Sequence, residues 1–330
     1  MLPSWPNQIL ERHRLTTQNA LIRRVCVEAE DIRSIELVGA DGEPLQPFEA
    51  GAHIDVHTGE LIRQYSLINT TANDGSYRIA VKLEPNSRGG SRFMHALAEG
   101  ELLKIGLPRN NFALHPDAAH SVLLAGGIGI TPLLGMAHHL LANDGAFSLD
   151  YFARSSDAAA FATEIESTAL ARRTRFHLGL TSDAVKQVLA ASLDTFPSNT
   201  HVYACGPGPF MQAVREAVAA RPGLVLHLEY FTAELPAGDP AADTFRVRLA
   251  KSGMTVEVNA DQTIIEALRA AGIAVETSCE QGVCGTCMTT VLAGRPDHRD
   301  LLLTDEEHQA GNQMLICVSR SLDAELVLDL

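Results

Sequence analysis

The segment Cys279-Glu280-Gln281-Gly282-Val283-Cys284-Gly285-Thr286-Cys287, followed at a distance by Cys317, is the most informative part of this sequence. Its form, C-x4-C-x2-C and then a fourth cysteine, is the spacing of a plant-type [2Fe–2S] loop. Gly282 and Gly285 allow a tight turn that brings backbone N–H groups close to the cluster sulfurs. Zinc is the main alternative, but its usual signature contains two C-x2-C pairs and only one is present. The segment therefore predicts a protein that carries single electrons.

The charge of the chain limits its possible partners. At 330 residues it is long enough for two or three domains, and its formal net charge of −14 argues against nucleic acid or an anionic membrane as a partner. From Asp243 to Leu330 there are 14 Asp and Glu against 7 Lys and Arg, a net charge of −7. An acidic surface that docks a basic protein would explain this excess, with Glu276 and Glu280 as candidates. Ordinary solvated charge would explain it equally well.

Cysteine usage and hydropathy indicate a cytoplasmic protein without a membrane segment. Apart from the four cluster candidates only Cys26 and Cys205 remain, so no disulfide framework is expected and a reducing compartment fits. The stretch Val122–Ala142 is almost entirely apolar, but its glycines, Pro132 and two histidines favour a buried strand, a loop and a helix over a membrane span. The first residues lack the basic and apolar blocks of a signal peptide.

The first third of the chain, from about Leu21 to Leu114, has many short strand patterns separated by turns, which predicts an antiparallel β-barrel. Within it, Arg63-Gln64-Tyr65-Ser66-Leu67 places a cation, an aromatic ring and a hydroxyl on one strand. The segment Ser87-Arg88-Gly89-Gly90-Ser91-Arg92-Phe93-Met94 is a glycine pair that leads into a short helix. Backbone N–H groups and nearby arginines there favour a phosphate, although a surface turn has the same pattern.

Strands and helices then alternate from Ser121 to Tyr230, which predicts a parallel sheet covered by helices, with ligands outside the carboxyl ends of the strands. Two glycine-rich loops fall at such ends, Gly126-Gly127-Ile128-Gly129-Ile130-Thr131-Pro132 and Cys205-Gly206-Pro207. Two loops of this kind on one sheet favour a dinucleotide. Thr232–Ala242 has the composition of a linker, and a helix with a capping box at Thr263 then precedes the cysteine loop.

The barrel-strand motif, the two glycine-rich loops and the C-terminal cluster motif, in this order, resemble the phthalate dioxygenase reductase family, to which vanillate O-demethylase reductases also belong. The resemblance covers nearly the whole chain from about Leu21. It implies a multidomain protein with an antiparallel β-barrel flavin domain at residues 1–116 and an α/β parallel-sheet nucleotide-binding domain at 117–231. A linker at 232–243 would precede a C-terminal β-grasp-like α+β ferredoxin domain at 244–330.

The resemblance also implies which residues hold the cofactors. Candidates for the flavin are Arg63, Tyr65, Ser66, Val81, Lys82, Gly89, Gly90, Ser91, Thr131 and Phe231. Candidates for the nicotinamide nucleotide are Gly126, Gly127, Gly129, Pro132, Arg154, Cys205, Gly206 and Pro207. The cluster ligands would be Cys279, Cys284, Cys287 and Cys317. FMN is favoured over FAD because the chain runs from Phe231 straight into the linker. Arg154 could receive a 2′-phosphate, but similar family members with this arginine use NADH.

The implied function is the reductase component of a multicomponent Rieske-type oxygenase or O-demethylase. NADH delivers two electrons as hydride and a [2Fe–2S] cluster takes one, so a flavin, which can do both, would stand between them. The electrons would pass to a terminal oxygenase protein, because the sequence shows neither a Rieske motif nor a convincing mononuclear iron site. No general base is assigned, and most of the 13 histidines are expected to be surface or core residues with no ligand role. The alternatives are a stand-alone flavin reductase or diaphorase, and a redox-sensing iron–sulfur regulator.

Overall fold

The computed structural model describes residues 17–59, 61–69, 75–85, 87, 89–194, 196–231 and 244–330. The described chain divides into two compact units, Arg14–Glu229 and a second that includes Tyr230–Leu330. The N-terminal segment and the whole of the predicted linker at 232–243 lie outside the described residues, as does Arg88 of the glycine-pair segment.

The first unit begins with a six-stranded antiparallel sheet that closes into a barrel. Its strands are β1 (Thr17–Ala29), β2 (Ile32–Gly39), β3 (His53–Thr58), β4 (Leu61–Ser66), β5 (Tyr77–Lys82) and β6 (Leu102–Gly106). They lie in the order β4–β3–β6–β1–β2–β5, and the two end strands, β4 and β5, also contact each other. Helix α1 (Gly90–Ala96) packs against β3, β4 and β5. Alternating apolar side chains such as Ile22, Ile54 and Ile79 fill the interior, so the predicted barrel is confirmed.

A five-stranded parallel sheet completes the first unit. Its strands are β7 (His120–Gly126), β8 (Phe147–Ala153), β9 (Thr174–Leu178), β10 (Thr200–Cys205) and β11 (Leu224–Glu229), in the order β11–β10–β7–β8–β9. The helices that accompany them are α2 (Ile130–Ala142), α3 (Ala162–Ser167), α4 (Ser182–Leu193) and α5 (Gly208–Ala219). The apolar window that begins at Val122 is therefore a buried strand, a turn and a helix, as predicted. In the described part of the chain no helix has both the length and the apolar character needed to span a membrane.

Helix α2 packs against the barrel through Gly135. A Cβ atom at this position would lie 2.7 Å from the carbonyl oxygen of Leu67 and 3.3 Å from that of Ile68, the residues that follow β4. The next turn adds a polar contact, since His138 Nδ1 lies 3.3 Å from the same Ile68 oxygen. The absence of a side chain at Gly135 thus sets the distance between the barrel and the parallel sheet.

A network of charged side chains holds the same two parts together. Arg78 on β5 donates to Glu164 on α3 at 2.7 Å and to Glu28 on β1 at 2.9 Å. His138 Nε2 lies 3.3 Å from the second oxygen of Glu164. Glu28 is the least exposed of the four, at 13% of its side chain, so these ion pairs are partly shielded from solvent.

The second unit is an α+β fold built on a mixed sheet. Its strands are β12 (Phe245–Leu249), β13 (Thr255–Val258), β14 (Met288–Ala293), β16 (Gln313–Leu315) and β18 (Glu325–Leu328), in the order β13–β12–β18–β14–β16. Strands β15 (Pro296–Asp297) and β17 (Arg320–Ser321) pair separately, and the helices are α6 (Ile264–Ala270) and α7 (Asp305–Ala310). The capping box of α6 is confirmed, because Thr263 Oγ1 accepts from Glu266 N at 3.1 Å and the Glu266 carboxylate accepts from Thr263 N at 2.9 Å.

Replacing Gly135→Leu is expected to lower the free energy of unfolding of the first unit by about 1–3 kcal/mol, because the new side chain would overlap the Leu67 and Ile68 carbonyl groups. His139→Leu, an exposed position on the same helix, is the matched control and should change it by less than about 0.5 kcal/mol. Thermal unfolding followed by circular dichroism measures both. Equal melting temperatures for the two variants would show that α2 does not depend on this close contact.

Candidate cofactor-binding sites

The four predicted cluster ligands lie together in the second unit. Cys279, Cys284 and Cys287 are in the loop that connects α6 to β14, and Cys317 follows β16. Cys279, Cys287 and Cys317 are buried, while Cys284 is partly exposed. Residues that are distant in the sequence therefore present four thiols to one region of the fold.

The four sulfurs form two pairs. Cys279 is hydrogen-bonded to Cys284, and Cys287 is hydrogen-bonded to Cys317. Among the described residues, the one set of three ligating atoms within 4.8 Å of one another lies elsewhere, so no three of these sulfurs converge on a single point. A structural zinc ion needs four ligands about 2 Å from one centre, whereas a [2Fe–2S] cluster binds one pair of sulfurs at each iron. The arrangement fits the binuclear cluster and disfavours zinc.

Hydrogen-bond donors surround these sulfurs and favour their deprotonated form. Gln281 N lies 3.3 Å from Cys279 Sγ, and the backbone N–H of Gly282 is directed to Cys317. Within the first pair, the hydrogen bond between the two thiols lowers the pKa of Cys284 to about 5 and, together with burial, raises the pKa of Cys279. The hydrogen bond with Cys287 and burial likewise raise the pKa of Cys317, so the first negative charge is held on Cys284. Iron binds the thiolate, and donors of this kind stabilise negative charge on the sulfurs.

The backbone of the loop has the tight turns that the sequence predicted. Gly282 and Gly285 have φ values of 73° and 77°, in the left-handed region that side chains disfavour. A Cβ at Gly285 would also lie only 2.8 Å from Leu302 Cδ2. The left-handed conformation therefore restricts this position to glycine, while Leu302 Cδ2, the end of a flexible and exposed side chain, can move aside.

Of the two acidic residues considered for partner docking, Glu280 is already engaged within the unit. Its carboxylate accepts from Arg269 at 2.9 Å and from Thr277 at 3.1 Å, and only 16% of its side chain is exposed. Glu276 is exposed. The sequence pattern could not show this difference, because Arg269 approaches Glu280 from the end of α6.

On the barrel, two of the predicted flavin-binding segments meet. Arg63, Tyr65 and Ser66 occupy the end of β4, and Gly89, Gly90 and Ser91 form the start of α1. A Cβ at Gly90 would lie 3.1 Å from Arg63 Cγ, so the glycine pair lies directly against the arginine side chain. Tyr65 is largely buried, which raises the pKa of its hydroxyl. The cation, the ring and the helix start are thus available to one ligand.

The predicted flavin-edge residues Val81 and Lys82 end strand β5. Val81 is buried and its carbonyl oxygen lies 2.9 Å from His95 Nε2, while Lys82 pairs with Glu84 at 2.9 Å. Strand β5 also lies beside the 3₁₀ turn Gly127–Gly129 that follows β7. The strand predicted to border the flavin and the loop predicted to receive the nicotinamide are therefore neighbours.

The two glycine-rich loops touch at the carboxyl edge of the parallel sheet. They follow the paired strands β7 and β10, in which Ala125 is aligned with Cys205. A Cβ at Gly129 would lie 2.1 Å from the carbonyl oxygen of Cys205, and one at Gly126 would lie 3.0 Å from Pro207 Cδ. Such backbone contacts leave an edge that a planar ring or a pyrophosphate can approach closely. Gly127 and Gly206 belong to the same pair of loops.

The remaining candidates differ in exposure. Thr131 and Pro132 are buried in the first turn of α2, where the Thr131 hydroxyl donates to the Ile128 carbonyl at 3.0 Å. Arg154 follows β8 with 82% of its side chain exposed and lies 4.0 Å from Asp31. Phe231, two residues after β11, is partly buried. Arg154 thus combines a long, weak ion pair with an open position at the ligand edge of the sheet.

Glu229, which the sequence patterns did not single out, lies at the same edge. It ends β11, and its carboxylate accepts from the Ser66 hydroxyl of the barrel at 3.4 Å. Burial, only partly offset by that hydrogen bond, raises the pKa of Glu229 to about 8. Burial, with Glu229 nearby, also raises the pKa of the Cys205 thiol. An acidic residue at the end of an otherwise apolar strand is the signal that could have indicated it.

Comparison with known proteins matches two parts of this chain to domain families. Residues 247–322 match the family model for a 2Fe-2S iron-sulfur cluster binding domain, and residues 123–216 match that for an oxidoreductase NAD-binding domain. Over 317 residues the chain is 47% identical to the vanillate O-demethylase oxidoreductase of Pseudomonas sp. (strain HR199 / DSM 7063), covering 94% of this chain and 99% of that protein.

Two solved structures extend the likeness to three dimensions. Phthalate dioxygenase reductase, a modular structure for electron transfer from pyridine nucleotides to [2Fe–2S], superposes with a TM-score of 0.79 at 39% identity, covering 95% of this chain and 98% of that one. An intact type IV self-sufficient cytochrome P450 monooxygenase gives 0.77 at 40% identity. There the match covers 95% of this chain but only 41% of the longer P450 chain.

The fold and the sites define an NADH-dependent flavin and iron–sulfur oxidoreductase. More particularly, the chain belongs to the phthalate dioxygenase reductase family, together with the vanillate O-demethylase reductases. Its cofactors are accordingly FMN, NADH and one [2Fe–2S] cluster.

Replacing Gly285→Ala is expected to reduce the iron content of the purified protein, because a residue with a Cβ disfavours the φ of 77° and the backbone between the ligands Cys284 and Cys287 must then relax. Gly253→Ala is the matched control. Gly253 has a similar φ of 70° in the β12–β13 turn, but nothing lies within 4 Å of its added Cβ. Both variants incur a backbone cost of about 1–2 kcal/mol, and only Gly285→Ala should lose iron and visible absorption. Equal iron content in the two variants would argue against this restriction on the loop.

Glu229 also makes a definite contribution to the pH dependence of stability. Because its pKa is raised to about 8 in the folded protein, the folded state keeps a proton that the unfolded state has already released. Its stabilising contribution is complete below about pH 4.3 and is lost as the pH rises toward 8, by up to about 1.4 kcal/mol per pH unit.

Glu229→Gln remains neutral, so its free energy of unfolding should lack this component. Denaturant titrations at pH 5.5, 7 and 8.5 measure the difference between the parent and the variant, with exposed Glu216→Gln as the control. Parallel pH profiles for the parent and Glu229→Gln would contradict the assignment.

Proposed function

We propose that this protein is the reductase component of a multicomponent oxygenase or O-demethylase. It would pass electrons from NADH through FMN and the [2Fe–2S] cluster to a terminal oxygenase protein. The observation that carries the proposal is the two-pair arrangement of Cys279, Cys284, Cys287 and Cys317 in a chain that also has the nucleotide-binding sheet. A chain with both a hydride-accepting region and a one-electron centre is suited to single-electron delivery.

The side chains of this protein would position the cofactors and shield them from solvent. They do not act as acid–base catalysts. Gly126 and Gly129 allow the nicotinamide nucleotide to approach the carboxyl edge of the sheet, next to strand β5 of the barrel. Bound FMN would supply the chemistry that the side chains lack, accepting hydride and releasing electrons singly. Glu229 is mostly protonated at neutral pH and hydrogen-bonded by Ser66, so it places little negative charge where the cofactors would meet.

The similar proteins support an oxygenase as the acceptor. A region like this chain occurs within a self-sufficient cytochrome P450 monooxygenase, where reductase and oxygenase share one polypeptide. We infer that the acceptor of this chain's electrons is likewise an oxygenase, and that it docks near the cluster loop.

The acidic charge near the cluster loop and the reduced state of the cysteines are both consistent with an oxygenase partner in the cytoplasm. Glu276 is exposed close in sequence to Cys279, within a segment of formal net charge −7, so a basic surface on the oxygenase would be attracted to it. The six cysteines are free thiols in the structure, which suits the reducing conditions of the cytoplasm, where NADH is also available.

The order of the centres can be tested with Cys284→Ser. This variant should lose NADH-dependent reduction of cytochrome c, down to background, because a cluster ligand is removed. It should keep reduction of ferricyanide, which draws electrons directly from the flavin. Cys26→Ser, a cysteine outside the cluster loop, is the matched control and should retain both activities.

Flavin and iron content are measured in each preparation, so that loss of folding is distinguished from loss of the cluster. If flavin-loaded Cys284→Ser still reduced cytochrome c at the parent rate, the cluster would not lie on the path. The protein would then be better described as a stand-alone flavin reductase.

A further inference from the structure

A second group of metal-ligating side chains lies in the iron–sulfur unit, outside the cysteine loop. It consists of His298, directly after β15, Asp300, two residues later, and His308 on α7. One ligand atom from each residue lies within 4.8 Å of the other two. The mechanism of electron transfer uses none of these three residues.

The geometry of this His–Asp–His group centres on the carboxylate. Asp300 Oδ1 lies 3.3 Å from His308 Nε2 and 3.7 Å from His298 Nδ1, and the Asp300 side chain is fully buried. Its other oxygen, Oδ2, accepts from the backbone N–H groups of Leu302 at 3.2 Å and Leu303 at 2.9 Å. One oxygen is thus fixed by the backbone, while the other faces both imidazoles.

His298 is the member of the group whose buried ring makes no hydrogen bond to another described residue. Only 9% of its side chain is exposed, and within the described residues neither ring nitrogen has a hydrogen-bond partner. Asp300 Oδ1, at 3.7 Å, is beyond hydrogen-bond distance, so the buried imidazole loses its hydrogen bonds to water and gains none in return, which is unfavourable. A ligand between His298 and Asp300 would remove that cost.

We propose that His298, Asp300 and His308 bind one divalent transition-metal ion of the Zn²⁺ type. Two imidazole nitrogens and one carboxylate oxygen are a donor set that such ions prefer, and water can complete a four-coordinate shell. The imidazole rings are stacked 4.4 Å apart at 21°, so they must tilt to direct both lone pairs at one ion. His308, with 28% of its side chain exposed, is the ring with room to turn.

The charges around the group favour a cation. Arg299, the nearest cation in the sequence, donates to Asp297 at 2.8 Å and is neutralised there. The first turn of α7 adds Asp305, Glu306 and Glu307, one turn or less before His308. Negative charge therefore outweighs positive charge on the elements that carry the ligands.

The site is joined to the cluster loop through the residues that follow Asp300. Leu301 N donates to the Gly282 carbonyl at 3.0 Å, and Leu302 is the side chain that a Cβ at Gly285 would meet. A metal ion that ties α7 to Asp300 would hold this connecting segment in place against the cysteine loop. The expected consequence is a more stable iron–sulfur unit, without a direct part in the reaction.

Zn²⁺ titration of the holoprotein by isothermal calorimetry tests the proposal. Full iron content is verified first, so that the cluster cysteines are occupied, and adventitious metal is removed by gel filtration with EDTA. One Zn²⁺ per chain should bind. His308→Gln keeps a hydrogen-bond donor opposite Asp300 but lacks the imidazole, so its affinity should fall at least about tenfold. His139→Gln removes an exposed histidine elsewhere and should bind like the parent.

Thermal unfolding provides a second readout that does not depend on activity. At one fixed Zn²⁺ concentration, the melting temperatures of the parent and of His139→Gln should rise by the same amount, and that of His308→Gln should rise by clearly less. No binding by the parent, or equal affinity in all three proteins, would overturn the proposal. The three residues would then be a structural contact that fastens α7 to the loop.

Discussion

Holding four sulfurs around two irons is the constraint on which the iron–sulfur unit depends. Three of the sulfurs come from one short loop, so its backbone must turn sharply enough to place Cys279 and Cys284 in one pair while Cys287 joins Cys317 in the other. Left-handed conformations at Gly282 and Gly285 provide these turns. The same turns direct N–H groups inward, so the geometry that gathers the sulfurs also stabilises their negative charge.

In the first unit, the corresponding constraint is the close approach of backbone to backbone. Gly129 lies against the Cys205 carbonyl and Gly135 against that of Leu67, which brings the glycine-rich edge of the parallel sheet to the barrel. Ser66 and Glu229 then meet across the same junction. A carboxyl group that is largely shielded from water can persist there because it holds its proton at neutral pH.

Patterns confined to short stretches of sequence predicted most of the fold and the cluster ligands. The C-x4-C-x2-C spacing is such a pattern, because loop geometry fixes it, and the alternation of strands and helices follows from hydrophobic periodicity. Glu280 was a candidate for docking, with ordinary solvated charge as the equal alternative, and the structure shows it bonded to Arg269. Glu229 was not recognised, because its burial depends on the barrel, which is distant in the sequence.

The His–Asp–His group is a second feature that short sequence patterns could not predict. His298 and His308 are separated by a loop and the start of a helix, and no standard ligand spacing joins them to Asp300. Only the turn after β15 brings the three together. The sequence led to the expectation that most histidines have no ligand role, and only the structure identifies these two as the pair to consider.

All four cluster cysteines, and the apolar core around them, belong to the unit that includes Tyr230–Leu330. None of the thiolate donors comes from the unit that carries the barrel and the parallel sheet. Gene fusion or domain exchange can therefore transfer the one-electron centre together with all four of its iron ligands. The two halves can also change at different rates, since substitutions that alter hydride acceptance leave the iron ligands untouched.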